Sequence, residues 1–203
     1  APPDGSEDLA GNALNLPVHL FIGDKDFLFK TAQDWKAKFE KSTPRFNYVE
    51  YPGIGHNSWE YAYKDGFIFE WFSQFVRNPF PQEVKFSTKW FKYNKAYWVM
   101  FDNITPGTLA SIDAKFSGIN TIEIVSSGLD AFTLNIKGHP QFNPGQTLIV
   151  KVDGKSFTYK SSDVISFSKV NGVWIDNKFV PGLTSKQQGA EGPAYAAISS
   201  NHI

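Results

Sequence analysis

The spacing of apolar residues changes near residue 80, and this change limits the possible fold more than any other feature of the sequence. Over residues 16–77, short apolar runs alternate with amphipathic segments of helical length, a pattern typical of alternating strands and helices. After the breaker Asn78-Pro79-Phe80-Pro81, the apolar period falls from about 3.6 to about 2, as in half-buried strands. The sequence therefore predicts an α/β segment at 1–78, a β-sandwich at 82–176 and an irregular tail or linker at 177–203.

The first segment contains the pattern of one strand-helix-strand unit. The nearly continuous apolar run at 18–22 predicts a strand buried on both faces, and residues 47–51 predict a second strand parallel to it. Helices are expected at 31–42 and at 58–76, the second interrupted at Gly66. A sheet of two strands cannot bury both of its faces or pair its open edge, so we expect the sandwich or another polypeptide to cover the first strand.

The second segment predicts short, evenly spaced strands joined by tight turns. The predicted strands lie at 84–88, 97–101, 110–116, 119–125, 132–136, 148–152, 157–159 and 164–170. Asp153-Gly154 has the composition of a two-residue hairpin turn. Strands of this length and spacing are typical of an all-β sandwich of the immunoglobulin-like type.

Composition excludes several classes of function. The 203 residues carry 20 Lys+Arg and 20 Asp+Glu, so the zero net charge gives no electrostatic basis for binding nucleic acid or an anionic membrane. Cysteine is absent, which excludes disulfides, thiolate metal sites and a cysteine nucleophile. The histidines outside the candidate site lack partners at metal-ligand spacing, so we expect neither a metal nor a cofactor.

Two polar motifs follow the two predicted strands of the first segment. Gly23-Asp24-Lys25-Asp26 comes directly after one strand, and Gly53-Ile54-Gly55-His56-Asn57 comes after the other. Neighbouring parallel strands would bring both motifs to the same edge of the sheet. A carboxylate there can hold one tautomer of His56 and leave its other nitrogen as a general base. Asp26 suits this role better than Asp24, which can cap its own turn, although a simple turn acid and a loop histidine remain alternatives.

These motifs resemble the C-terminal end of an α/β-hydrolase catalytic domain over residues 16–78. The similar proteins are prolyl oligopeptidase-like peptidases and esterases of the polyhydroxybutyrate-depolymerase or feruloyl-esterase type. The run His56-Asn57-Ser58-Trp59-Glu60-Tyr61-Ala62-Tyr63 is similar to the esterases in particular. The resemblance implies Asp26 as the triad acid and His56 as the triad base. It also implies a sheet that continues beyond these residues and an ester or, second, a peptide as substrate. The lack of cysteine and the accessory sandwich favour a secreted or periplasmic bacterial protein.

The nucleophile of such a triad is missing from the sequence. In the resembled family it lies upstream on a G-x-S-x-G turn, and no G-x-S-x-G occurs in the 203 residues. We therefore interpret the chain as a fragment of a serine hydrolase that is inactive alone. Its expected partner is the missing N-terminal half of the hydrolase domain, in the same native chain or in another polypeptide.

The rival hypothesis is a non-catalytic module whose sandwich binds carbohydrate or protein. Exposed aromatic side chains would form such a surface, although the alternation of strand residues places about half of the candidates in the core. The candidates are Trp90, Phe91, Tyr93, Tyr97, Trp98 and Trp174. The native open reading frame separates the two hypotheses, because an upstream G-x-S-x-G favours the enzyme.

Overall fold

The computed structural model describes residues 6–182 and divides the chain into two compact units, Ala1–Pro79 and Phe80–Ile203. Strands account for 40% and helices for 19% of the described part, so the protein is mostly β-sheet. Across that part, no helix combines the length and the apolar character needed to cross a membrane. The predicted tail at 177–203 lies largely outside the described residues.

The first unit is built around two parallel strands. Its elements are a 3-10 helix (Glu7–Ala13), β1 (Val18–Gly23), α1 (Phe29–Ser42), β2 (Phe46–Tyr51), α2 (Trp59–Ala62), a second 3-10 helix (Lys64–Gly66) and α3 (Phe67–Ser73). Leu20 of β1 lies opposite Tyr48 of β2. Helix α1 crosses between the strands, as the periodicity predicts, and begins two residues earlier than expected.

One face of β1 is covered by the unit's own helices. Leu20 packs in a cluster with Trp35 and Phe39 of α1 and with Ala10 and Ala13 of the first 3-10 helix. On this face the cover expected from the sandwich or another polypeptide is therefore supplied by a segment that precedes β1 and by α1. The sequence pattern does not reveal this role, because the first 3-10 helix has no long amphipathic period.

The other face of β1 carries aromatic side chains that meet α3 and the residue that follows α2. The ring of His19 lies 5.8 Å from that of Phe67 and 5.1 Å from that of Trp71. Phe21 contacts Tyr63 at 6.0 Å. Among the described residues β2 is the only strand that pairs with β1, so the opposite edge of β1 has no strand neighbour there.

The predicted fold class is therefore wrong. The chain is not an α/β-hydrolase fold: its described residues form sheets of two, five and five strands and are mostly β. The strand-helix-strand pattern of the first segment is real, but it specifies only a local unit. The apolar period of a segment indicates which of its faces is buried. It does not indicate how many strands the sheet contains.

The long helix predicted at 58–76 is divided into short pieces. Asp65 and Gly66 have φ angles of 54° and 76°, which place both residues in the left-handed region and interrupt the helical backbone. Glycine adopts this conformation without steric cost, and aspartate tolerates it better than most residues. The interruption expected at Gly66 thus occurs, and it separates α2 from α3.

The second unit is a sandwich of two sheets. Its strands are β3 (Glu83–Thr88), β4 (Lys95–Ala96), β5 (Val99–Ile104), β6 (Ala110–Gly118), β7 (Thr121–Ser127), β8 (Leu129–Asn135), β9 (Leu148–Val152), β10 (Lys155–Tyr159), β11 (Val164–Val170) and β12 (Val173–Asp176). In the described residues one sheet has the order β10-β9-β7-β6-β3 and the other β12-β11-β8-β5-β4. All neighbours are antiparallel except β7 and β9.

The sandwich differs in detail from the predicted one. An immunoglobulin-like constant domain has about seven strands, whereas the described residues of this unit form two sheets of five. The short edge strands β4 and β12 are absent from the prediction, because two and four residues are too few to establish a period of two. The turn at Asp153-Gly154 is present, with φ angles of 47° and 86°.

Candidate active site

Asp26 is held in a turn that immediately follows β1. Its amide donates to the carbonyl of Gly23 at 3.1 Å, and its Oδ1 accepts the amide of Leu28 at 2.9 Å. The carboxylate is nearly enclosed, since only 2% of the side chain is exposed. A buried carboxylate needs hydrogen-bond donors, and the turn supplies the first of them.

The loops after β1 and β2 are tied to each other. The amide of Gly53 donates to Asp24 Oδ1 at 2.8 Å, and the amide of Lys25 donates to the carbonyl of Ile54 at 2.9 Å. Asp24 therefore bonds the neighbouring loop, whereas the sequence predicted a bond to its own turn. The approach is so close that a Cβ on Gly23 would lie 2.1 Å from the carbonyl oxygen of Ile54.

These contacts bring His56 to Asp26. The Nδ1 atom of His56 lies 3.2 Å from Asp26 Oδ1 and 3.1 Å from Oδ2, across 30 residues of sequence. The two parallel strand ends thus juxtapose the two predicted site residues. The imidazole differs sharply from the carboxylate in accessibility, because 54% of the His56 side chain is exposed. Within residues 6–182 no hydrogen-bond partner is present for Nε2 of His56.

Two aromatic rings border the imidazole. Phe27 stacks on it with the ring centroids 4.9 Å apart and an angle of 23°, and Trp59 meets it edge-on at 5.6 Å. Both rings are themselves accessible, with 79% of Phe27 and 45% of Trp59 exposed. Trp59 therefore lies at the surface rather than in the core. The sequence gives no signal for Phe27, because it lies in a turn outside any periodic segment.

The environment of Asp26 keeps it ionised. Burial by itself would raise the pKa of this carboxyl group, but the hydrogen bonds from the Leu28 amide and His56, with the charge of His56, outweigh burial and lower the pKa below its ordinary value. In the neutral imidazole, donation of the Nδ1 proton to an ionised Asp26 leaves the lone pair on Nε2. The pair is consequently arranged as a general base with its orienting acid.

The lowered pKa of Asp26 predicts a contribution to acid stability. The carboxyl group binds a proton more weakly in the folded protein than in the unfolded chain. Its contribution to the free energy of unfolding is therefore present above the unfolded pKa, about 4. That contribution is lost as the pH falls through the folded pKa. We expect the free energy of unfolding of the wild type to fall more steeply below about pH 4 than that of Asp26→Asn. Urea titrations followed by tryptophan fluorescence measure both slopes. Asp34→Asn, which removes an exposed carboxylate of α1, is the control, and equal slopes for Asp26→Asn and the wild type would contradict the prediction.

A groove of about 500 Å³ adjoins the pair. Its lining includes β1, His56, Trp59 of α2 and Tyr63. The amides of Val18 and Asp24 donate towards the β2 side, to the carbonyls of Arg45 and Tyr51. Peptide groups alternate in direction along a strand. The backbone groups of His19 and Phe21 therefore point to the edge of β1 that no described strand pairs, and this edge borders the groove. The groove therefore combines apolar walls with a strand edge and an exposed imidazole.

The other two described histidines, His19 and His139, are held by contacts within the fold. His19 Nδ1 lies 2.9 Å from Asn47 Nδ2, and burial lowers the pKa of its imidazole. His139 is buried, stacks on Phe116 with centroids 4.1 Å apart and bonds the carbonyl of Pro81 through Nε2. No cluster of three or more side chains suited to a metal ion occurs within residues 6–182. His202 lies outside the described residues.

Comparisons with protein-family models, with curated proteins and with solved structures return no match to this chain. The Asp26–His56 geometry and its surroundings are therefore the basis on which a function is argued.

Proposed function

We propose that Asp26 and His56 are the acid and the base of a serine hydrolase acting on carboxylic esters, whose nucleophile lies outside these 203 residues. The observation that carries the proposal is the bond from His56 Nδ1 to both carboxylate oxygens of buried Asp26, at 3.1 and 3.2 Å, while more than half of the imidazole side chain stays accessible. An ordinary surface ion pair needs no buried member. A carboxylate that orients a catalytic histidine is buried, as Asp26 is here.

The chemistry follows from the protonation states. With Nδ1–H donated to Asp26, Nε2 of His56 accepts the proton of a serine hydroxyl as its oxygen attacks the ester carbonyl. The same proton then passes from Nε2 to the alcohol that leaves. Asp26 stabilises the imidazolium between these two steps and stays ionised throughout, in keeping with its lowered pKa.

The absence of a nucleophile motif supports a serine supplied from elsewhere. G-x-S-x-G does not occur in the sequence. Ser58 lines the groove but is buried, with only 4% of the residue exposed, and its carbonyl caps α2 by accepting the amides of Tyr61 and Ala62. The segment that brings the serine would have to reach Nε2 of His56 along the groove.

The edge of β1 is suited to hold that segment. Backbone groups at His19 and Phe21 point away from β2, and an extended segment can pair with such an edge through main-chain hydrogen bonds. The partner is then the remainder of the hydrolase, in the same native chain or in another polypeptide. The similarity of the His56–Tyr63 run to esterases favours an ester over a peptide as the substrate.

Activity of the isolated chain tests the proposal. Without a nucleophile there is no covalent route, so we expect the 203 residues alone to hydrolyse p-nitrophenyl acetate no faster than their His56→Ala variant. The full-length gene product should hydrolyse the ester and react with a fluorophosphonate at one serine outside this chain. Stoichiometric labelling of a serine within the 203 residues would contradict an external nucleophile. The absence of both labelling and activity, in the full-length gene product and in its native complex with any polypeptide that copurifies with it, would contradict the hydrolase itself.

A non-catalytic binding module is the second candidate, and one observation favours it. Of the six aromatic candidates for a binding surface, Trp90 and Tyr93 are exposed to 41% and 56%. Trp98 and Trp174 are buried instead, with 2% and 4% exposed. Binding by the sandwich and hydrolysis by the first unit are compatible, so a surface at Trp90 and Tyr93 does not depend on the hydrolase proposal.

A further inference from the structure

The loop at residues 89–94, between β3 and β4, is held in one shape at both ends. Thr88 Oγ1 accepts the amide of Trp90 at 3.1 Å and donates to its carbonyl at 3.2 Å. At the other end, the Asn94 side chain donates to the Phe101 carbonyl at 2.9 Å, and the Phe101 amide donates to the Asn94 carbonyl at 2.7 Å. Phe91 packs against the sandwich core. A fixed loop loses little conformational freedom when a ligand binds.

The rings of Trp90 and Tyr93 in this loop are exposed to solvent, whereas the other tryptophans of the second unit are buried. The Nε1 atoms of Trp98 and Trp174 donate to the Pro81 carbonyl at 2.9 Å and to Asp153 at 2.7 Å, and both residues belong to the core. Trp90 and Tyr93 have no comparable place in the core and remain 41% and 56% exposed. Large exposed aromatic side chains are characteristic of recognition surfaces.

The same loop is locally cationic. Lys89, Lys92 and Lys95 fall within seven consecutive residues, and no aspartate or glutamate occurs between Glu83 and Asp102. The Nζ atom of Lys92 lies 5.5 Å from the ring centroid of Tyr93. Since the whole chain has no net charge, this positive charge acts over short distances only, on a ligand that already touches the loop.

We propose that the loop and its flanking Lys95 bind an acidic polysaccharide, a chain of uronic acid residues. The flat carbon–hydrogen face of a pyranose ring stacks on Trp90 or Tyr93, and the lysine ammonium groups pair with the uronate carboxylates. The three lysines supply the charge that is complementary to the uronate carboxylates.

Affinity electrophoresis of the whole chain, in gels containing polygalacturonate, tests the proposal. We expect polygalacturonate to retard the wild type and neutral galactan to retard it less. The double variant Trp90→Ala/Tyr93→Ala should bind polygalacturonate about tenfold more weakly. The variant Lys89→Gln/Lys92→Gln/Lys95→Gln should lose the preference for polygalacturonate over galactan.

Val125→Ala is the matched control, because Val125 is 69% exposed and lies in β7, away from this loop. It should bind polygalacturonate as the wild type does, and circular dichroism should be the same for all variants that are compared. Absence of retardation of the wild type would overturn the proposal. Tighter binding to an oligothymidylate or to anionic phospholipid vesicles than to polygalacturonate would also overturn it, and would assign the loop to that partner instead.

Discussion

In the full-length gene product, replacement of His56 by alanine is expected to lower kcat for p-nitrophenyl acetate by about 10³-fold or more. In the proposed mechanism the imidazole takes the serine proton, and no other described histidine is bonded to a carboxylate. Asp26→Asn should lower kcat by a similar factor, about 10⁴, because an amide in place of the buried carboxylate no longer fixes the tautomer with a free Nε2 or stabilises the imidazolium.

Asp65→Asn is the matched control for the loss of a carboxylate. Asp65 is exposed in the same unit, and asparagine tolerates its φ of 54°. This variant should retain the kcat and KM of the wild type. The double variant Asp26→Asn/His56→Ala should be no worse than His56→Ala alone, since residues that act as one unit are not additive. Retention of wild-type activity in a single variant would remove the replaced residue from the proposed catalytic machinery.

The second large effect is expected from Gly23→Ala. A Cβ at this position would lie 2.1 Å from the carbonyl oxygen of Ile54 and 2.5 Å from that of Gly55, and both are backbone atoms. The loop that carries His56 would have to move away from the end of β1. We expect a loss of about 2 to 3 kcal/mol in the free energy of unfolding of the first unit. Activity in the full-length gene product should fall as well, because the contact between Asp26 and His56 depends on this approach.

Gly55→Ala separates this close contact from any general effect of adding a methyl group. No atom lies within 4 Å of a Cβ at Gly55, and its φ is outside the left-handed region. The free energy of unfolding of this variant should stay within about 1 kcal/mol of the wild type. Urea unfolding followed by tryptophan fluorescence measures both variants. Equal stability of Gly23→Ala and Gly55→Ala would mean that the loops are not in contact in solution.

The sequence predicts the local elements well where their period is long enough to read. Strand β1, helix α1 and strand β2 appear near their expected bounds, and the meeting of Asp26 with His56 follows from the ends of two parallel strands. The alternation of residues in the sandwich likewise identifies most of its strands. Each of these predictions rests on a regular backbone geometry that repeats within a few residues.

Other features depend on contacts that no local pattern encodes. The bond between Asp24 and Gly53 joins residues 29 apart, and the extent of the first sheet depends on which strands find each other. The predicted α/β-hydrolase fold is wrong for that reason. Alternation also leaves open which aromatic residues are buried, so the exposure of Trp90 and the burial of Trp98 become known only from the three-dimensional packing.

The edge of β1 that no strand within residues 6–182 pairs affects the behaviour of the molecule in concentrated solution. Proteins usually protect such an edge with a proline, a lysine or a bulge. The edge-facing positions of β1 are His19 and Phe21 instead, in the apolar run Val18-His19-Leu20-Phe21-Ile22. Two copies of the chain can therefore join through this strand, edge to edge, as the first step of aggregation. A polypeptide that occupied the edge would be a solubility factor for the first unit as well as a partner in its chemistry.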